Sequence, residues 1–204
     1  MWNRQQVKEQ AKQIMKRNYW KMFVVTLLTG ILTGGKATII ERVQDFASNN
    51  LSYDAQPIFY SSNFQYIFYS FISVASILEI LYTIFIGNVI VVGKNGYFIM
   101  NNNENPELSE IFKGFKGNYL NVVKILFLMD LKTLLWLFLF IVPGVIKAYE
   151  YSMIPYLLAE NPNLSADEAF SLSKQMTTGQ KMDLFVLDLS FLGWIILGLI
   201  CCGI

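Results

Sequence analysis

"IVPGVIKAYEYSMIPYLLAENP" occupies residues 141–162. It opens as unbroken apolar sequence and is interrupted by Pro143-Gly144. It then carries Lys147, Glu150 and the tyrosines 149, 151 and 156 inside what still reads as an apolar helix. Proline removes a backbone donor and clashes with the preceding turn, and glycine gives access to positive φ. Pro143-Gly144 therefore marks either a kink or the tip of a hairpin. Counted outward, the apolar region runs from 119 to 159, roughly 40 residues, whereas one bilayer crossing takes about 20. One reading is a single span preceded by a surface helix. The other is a hairpin that descends to Pro143-Gly144 and returns. Lys174 and Lys181 favour the hairpin, because it brings them back to the side of the basic N-terminus, and Lys and Arg gather on the cytoplasmic side.

The return arm, 145–159, is short and polar. Lys147 and Glu150 are i,i+3 neighbours and can pair on one helix face. The tyrosines can hydrogen-bond while packing as apolar bodies, and Pro155 loosens a further turn. Such an arm packs into the bundle or lines a cavity, the settings in which broken helices survive at membrane depth. The expected outcome is an interior polar layer of Glu79, Asp130, Lys132, Lys147, Glu150 and Tyr151. Its structural role would be to hold helices together. Its functional role would be to bind an ion, a headgroup or a peptide, as discontinuous helices do in transporters.

Composition supports a membrane setting. Of 204 residues, 54% are hydrophobic and 15% charged, against about a quarter charged in soluble domains, and the apolar residues come in blocks. The net charge of +1 supplies no field for nucleic acid. There is no histidine, which removes the commonest general base and zinc ligand. Cys201 and Cys202 are adjacent and can build neither a zinc cluster nor a disulfide framework. No phosphate-binding glycine motif is present. No catalytic, cofactor-binding or metal-ligating set is expected, and no nucleic-acid partner.

Elsewhere, residues 1–18 read as a basic amphipathic helix, with Val7, Ala11, Ile14 and Met15 on one face and Lys8, Lys12 and Lys16 on another. It suits a surface-lying helix on anionic lipid or a cytoplasmic flank. Residues 19–34 form the first apolar segment, with Tyr19 and Trp20 at an interface and Gly30-x-x-x-Gly34 as a seam for close helix approach. The long basic flank and the lack of an A-x-A site favour a retained anchor over a cleaved signal. Residues 36–64 are polar and mixed. The second segment, 66–92, has Glu79 near its middle and Ser70, Ser73 and Ser76 on a side that could face the bundle. Residues 93–118 read as a loop, with a short interfacial helix over 106–112. Asn161-Pro162 ends a helix. Ser165 with Glu168 is a capping box opening a short helix, which Gly179 ends in the left-handed conformation. The last segment is 182–204. The fold class expected is all-α: a polytopic transmembrane helix bundle with a Pro-Gly-broken helix or hairpin and amphipathic interfacial helices. Its five apolar segments are 19–34, 66–92, 120–142, 145–159 and 182–204.

The run from Pro143-Gly144-Val145-Ile146-Lys147 through Tyr149-Glu150-Tyr151-Ser152-Met153, Pro155-Tyr156, Asn161-Pro162, Ser165, Glu168-Ala169, Gly179-Gln180-Lys181 and Leu189-Ser190-Phe191-Leu192-Gly193-Trp194 resembles an uncharacterised bacterial integral membrane family, domain of unknown function 975. The opening "MWNRQQVKEQAKQIMKRNYWKMF" also looks like that family's start, so the resemblance covers nearly the whole chain. It implies a polytopic plasma-membrane protein and no particular reaction. Glu150 stands where the family pattern would have a small polar residue, which makes a Lys147–Glu150 pair particular to this protein. The family pattern also continues past the last span, so a C-terminal helix is expected to be missing after Cys201-Cys202-Gly203-Ile204.

The function expected is that of a non-enzymatic membrane factor contacting membrane lipids, with another membrane protein as a candidate partner. The alternative is a small transporter using the intramembrane polar layer. The location expected is the cell membrane, multi-pass, with the N-terminus and the capped helix cytoplasmic and 36–64 outside.

Overall fold

A computed structural model describes residues 4–33 and 62–202, and every element among them is helical. Helix α1 (Arg4–Arg17) and α2 (Tyr19–Leu32) meet at Asn18. Helix α3 (Ser62–Tyr82) passes through one π turn (Thr83–Gly87) into α4 (Asn88–Asn103). A 3-10 segment (Leu108–Phe115) leads to α5 (Tyr119–Leu139), α6 (Ile141–Tyr151), α7 (Ile154–Glu160), α8 (Ala166–Thr177) and α9 (Lys181–Cys202). Most of the expected polar segment 36–64 lies outside the described residues, as does Gly34.

Residues 93–103 are helical and not the expected loop. Their glycines and asparagines are poor helix formers, but tertiary packing overrides propensity here. Val89, Val92 and Tyr97 are buried. Gly93 lets the 3-10 segment approach so closely that a Cβ there would lie 1.8 Å from the Ile111 carbonyl oxygen. The far end of α4 is closed by the N-terminal helices. The Arg17 guanidinium donates to the carbonyls of Asn101 and Asn102, and the Asn18 amide donates to Asn101 Oδ1 at 2.8 Å. A cation on the terminal carbonyls satisfies orphan acceptors and opposes the negative end of the helix dipole. At the other end the π turn frees a carbonyl, and the Tyr119 hydroxyl donates to Phe85 O at 2.7 Å.

The chain around Pro143-Gly144 is a hairpin, and its break comes at Phe140, which is extended at φ −153, ψ 128. Pro143 falls in the first turn of α6, where a missing N–H leaves no helical bond unmade. The arms touch at both ends. Near the tip, a Cβ on Gly144 would lie 2.6 Å from Leu137 Cα, so only glycine fits. At the base, the Asn121 amide donates to Pro162 O at 3.0 Å and Leu164 O at 2.7 Å. A kinked single helix cannot make both contacts, so α5 and α6–α7 run antiparallel. The return arm breaks again at Ser152–Met153, and Pro155 opens α7.

Helix α8 starts at the expected capping box: Ser165 Oγ accepts from Glu168 N, and Glu168 Oε2 accepts from Ser165 N at 2.9 Å. It ends before Gly179, whose φ is +79. Its small stripe Ala169, Ser173 and Thr177 is buried, while Asp167, Glu168, Ser171, Lys174 and Gln175 are exposed. Ala169 joins the main core with Leu126, Tyr151, Ile154 and Leu158.

Apolar surface is distributed unevenly. The core occupies α4, the first half of α5, α7 and α8. The remaining parts of α3, α5–α6 and α9 expose large apolar side chains, Phe138 to 90%. Among the described residues one stretch, Ser73–Asn103, is long and apolar enough by length and composition to cross a membrane, and its most apolar window is 17% buried. The Gly30 seam is not used among the described residues: nothing lies within 4 Å of a Cβ at Gly30. Helix α2 instead buries Val25 and Thr29, with Val25 packed near Tyr97 and Ile111. Ser70 and Ser73 are exposed, and the Ser73 hydroxyl donates to Ser70 O at 2.8 Å.

Candidate functional site

Glu150 is the centre of the polar layer. Its side chain is 7% exposed and each carboxylate oxygen has its own lysine: Lys147 Nζ at 2.7 Å and Lys181 Nζ at 2.6 Å. Lys147 comes from the preceding turn of α6, as helical i,i+3 spacing requires. Lys181 comes from the first residue of α9. The Ser173 hydroxyl on α8 donates to the Glu150 carbonyl at 2.6 Å. One residue thus ties α6, α8 and α9 together. Beside it the Tyr149 hydroxyl donates to Asp188 of α9 at 2.8 Å, and the Tyr149 ring meets Phe185 edge-on. Lys147 also lies over the rings of Trp136, 5.8 Å from the centroid, and Tyr151, 5.7 Å.

Lys132 and Asp130 lie nearby on α5 but hold separate partners. Lys132 Nζ sits 3.8 Å over the Phe170 ring, which packs edge-on against Tyr151 at 5.0 Å. Asp130 accepts from the Asn88 amide at 2.7 Å. The structure therefore brings Lys147, Glu150 and Tyr151 together, sets Lys132 against Tyr151 through Phe170, and ties Asp130 of α5 to Asn88 of α4. Glu79 does not join them. It is exposed on α3, along a length against which no described buried core packs. Lys181, Ser173 and Asp188 complete the site but do not belong to the polar layer expected from sequence, where Lys181 enters only as a topology marker, since their partners lie on other helices. The basic residue opening an apolar helix was the available signal for Lys181.

A carboxylate with both oxygens on ammonium groups has its strongest acceptor sites taken. It serves better as a structural clamp than as a base. Among the described residues, no three His, Cys, Asp or Glu side chains gather as metal ligands. A cavity of about 260 Å³ lies elsewhere, at the hairpin base, lined in part by Gly93, Gly96, Lys113, Lys116, Ala159 and Glu160.

No curated protein and no solved structure matches the chain. A family match covers residues 140–204, narrower than the near-whole-chain resemblance expected, and it leaves the N-terminal segment outside. Over that stretch, which carries Lys147, Glu150, Ser173 and Lys181, the chain matches the family described as protein of unknown function (DUF975).

Proposed function

We propose that this chain is a multi-pass cell-membrane protein without catalytic chemistry of its own, whose partner is membrane lipid, with a second membrane protein as a further candidate at its apolar faces. The observation that carries this reading is the apolar exposure of α3, the hairpin tip and α9, contrasted with the dense core around α4, α7 and α8. Helix α1 fits a surface-lying position on anionic lipid: Val7 and Met15 are exposed on it, as are Lys12 and Lys16. The N-terminus and α8 are placed on the cytoplasmic side, because the lysines and arginines gather there. The transporter alternative needs a membrane-level charge free to meet a substrate. Glu150, engaged by two lysines, counts toward the clamp reading.

Alkaline carbonate extraction followed by native mass spectrometry of the detergent-purified chain tests the reading. The expected outcome is retention in the membrane pellet and co-purification of anionic lipid. Release by carbonate without detergent refutes it.

A further inference from the structure

We propose that residues 133–146 form a re-entrant wedge that enters the hydrocarbon from the face carrying α8 and ends inside the bilayer. Its partner is the acyl chains of one leaflet. The inference rests on the membrane reading above and adds a depth and an end point to it.

The tip of a hairpin that crosses a bilayer meets water and carries polar residues. This tip does not. From Thr133 to Ile146 the sequence is TLLWLFLFIVPGVI, without a charge. Phe138, Phe140, Ile141 and Val142 are the outermost part and are 63–90% exposed. The one hydroxyl, Thr133, donates to Met129 O at 2.8 Å. Part of the turn's backbone is paired. Phe140 N donates to Trp136 O at 2.9 Å and Gly144 N to Phe140 O at 3.0 Å. Pro143 brings no N–H to a helix start, where orphan donors otherwise accumulate. Unpaired backbone groups are what hydrocarbon tolerates least.

Helix α8 fixes how deep the hairpin can go. It exposes Asp167, Glu168, Lys174 and Gln175, so it belongs in water or among headgroups. It lies along the base half of the hairpin, from Leu164 beside Asn121 to Ser173 beside Glu150. That half therefore lies outside the hydrocarbon. What remains beyond Lys132 is eight residues to Phe140, or ~12 Å of helix, against a hydrocarbon core of about 30 Å. The hairpin spans less than half of it.

Charge placement agrees. If the tip reached the far surface, Asp130, Lys132, Lys147, Glu150 and Lys181 would all sit near mid-bilayer, where ionised groups are costly. With the tip inside, they sit at the entry surface, within reach of water through their own side chains. The helical run of α3 and the π turn that follows it gives an independent ruler. Asn88 meets Asp130 at this level, and the 22 residues from 87 back to 66 amount to ~33 Å, a full crossing.

The test is cysteine accessibility in sealed vesicles of both orientations, in a Cys201→Ser, Cys202→Ser background, with a membrane-impermeant maleimide. Gln175→Cys should label from one side only. Phe140→Cys should label at least tenfold more slowly from either side, and readily once detergent dissolves the bilayer. Labelling of Phe140→Cys from the side opposite Gln175→Cys overturns the wedge in favour of a full crossing and leaves the membrane reading standing. Labelling from the same side as fast as Gln175→Cys places the tip in water and also overturns it. Loss of the chain from carbonate-washed vesicles sinks the membrane reading itself. Should Phe140→Cys not accumulate, Ile141→Cys and Val142→Cys, exposed at the same tip, carry the same test, and fast labelling of either from one side of sealed vesicles overturns the proposal.

Discussion

Replacing Gly93 by alanine, set against the same change at Gly96, isolates the contact on which α4 depends. Both glycines are buried on the same helix, three residues apart. In an ordinary helix interior each change gains about 1 kcal/mol from helix propensity. At Gly96 the new methyl would meet Ala159 Cβ at 3.5 Å, an ordinary contact. Gly96→Ala should therefore be neutral or stabilising by up to ~1 kcal/mol. At Gly93 the methyl would lie 1.8 Å from the Ile111 carbonyl oxygen and 2.6 Å from its carbon. Both are backbone atoms, so no rotamer change relieves the clash, and the 3-10 segment must shift by more than an ångström. Overpacking typically costs 1–3 kcal/mol, occasionally more, and the absence of a side-chain escape puts this case at the upper end. After the propensity gain, a net loss of ~2 kcal/mol or more is expected. Thermal unfolding of the detergent-solubilised variants, followed by size-exclusion fluorescence, reads the difference. Equal midpoints for Gly93→Ala and Gly96→Ala would falsify the packing of the 3-10 segment on α4.

At the polar layer, Glu150→Ala leaves two lysines, each side chain about a quarter exposed, facing each other without their carboxylate. Breaking a fully buried pair costs 3–5 kcal/mol, and this exposure reduces it to ~2 kcal/mol. Glu150→Gln, which keeps an acceptor, should lose less. Adding Lys181→Met to Glu150→Ala should recover part of the loss, and a double-mutant cycle without coupling would remove the clamp. In the capping box, the Ser165 backbone N–H and then its hydroxyl hold the Glu168 carboxyl below its ordinary pKa. A depressed folded pKa means that the contribution is present above the unfolded value of about 4.3 and is lost as pH falls through the folded value. Ser165→Ala should cost about 1 kcal/mol at neutral pH, and Glu168→Gln should flatten the acid limb of the stability–pH curve. An unchanged acid limb in that variant would show that other carboxylates carry it.

What the sequence determined by itself was local. The cap at Ser165, the stop at Gly179 and the Lys147–Glu150 pair follow from helix geometry within four residues, and all stand in the structure. The helical class was legible for the same reason, since apolar blocks and caps repeat at short range. Proline, by contrast, was an ambiguous marker. It is compatible with a kink, a tip or the first turn of a new helix, and only the return of the chain to Asn121 and the extended backbone of Phe140 show a hairpin that breaks at Phe140. The helicity of 93–103 was hidden because its residues are weak helix formers on their own, and it comes from the Gly93–Ile111 approach and the Arg17 cap. The second lysine on Glu150 is 31 residues away. Long-range pairing depends on how helices stack, and no periodicity along one helix records which neighbour its charges will meet.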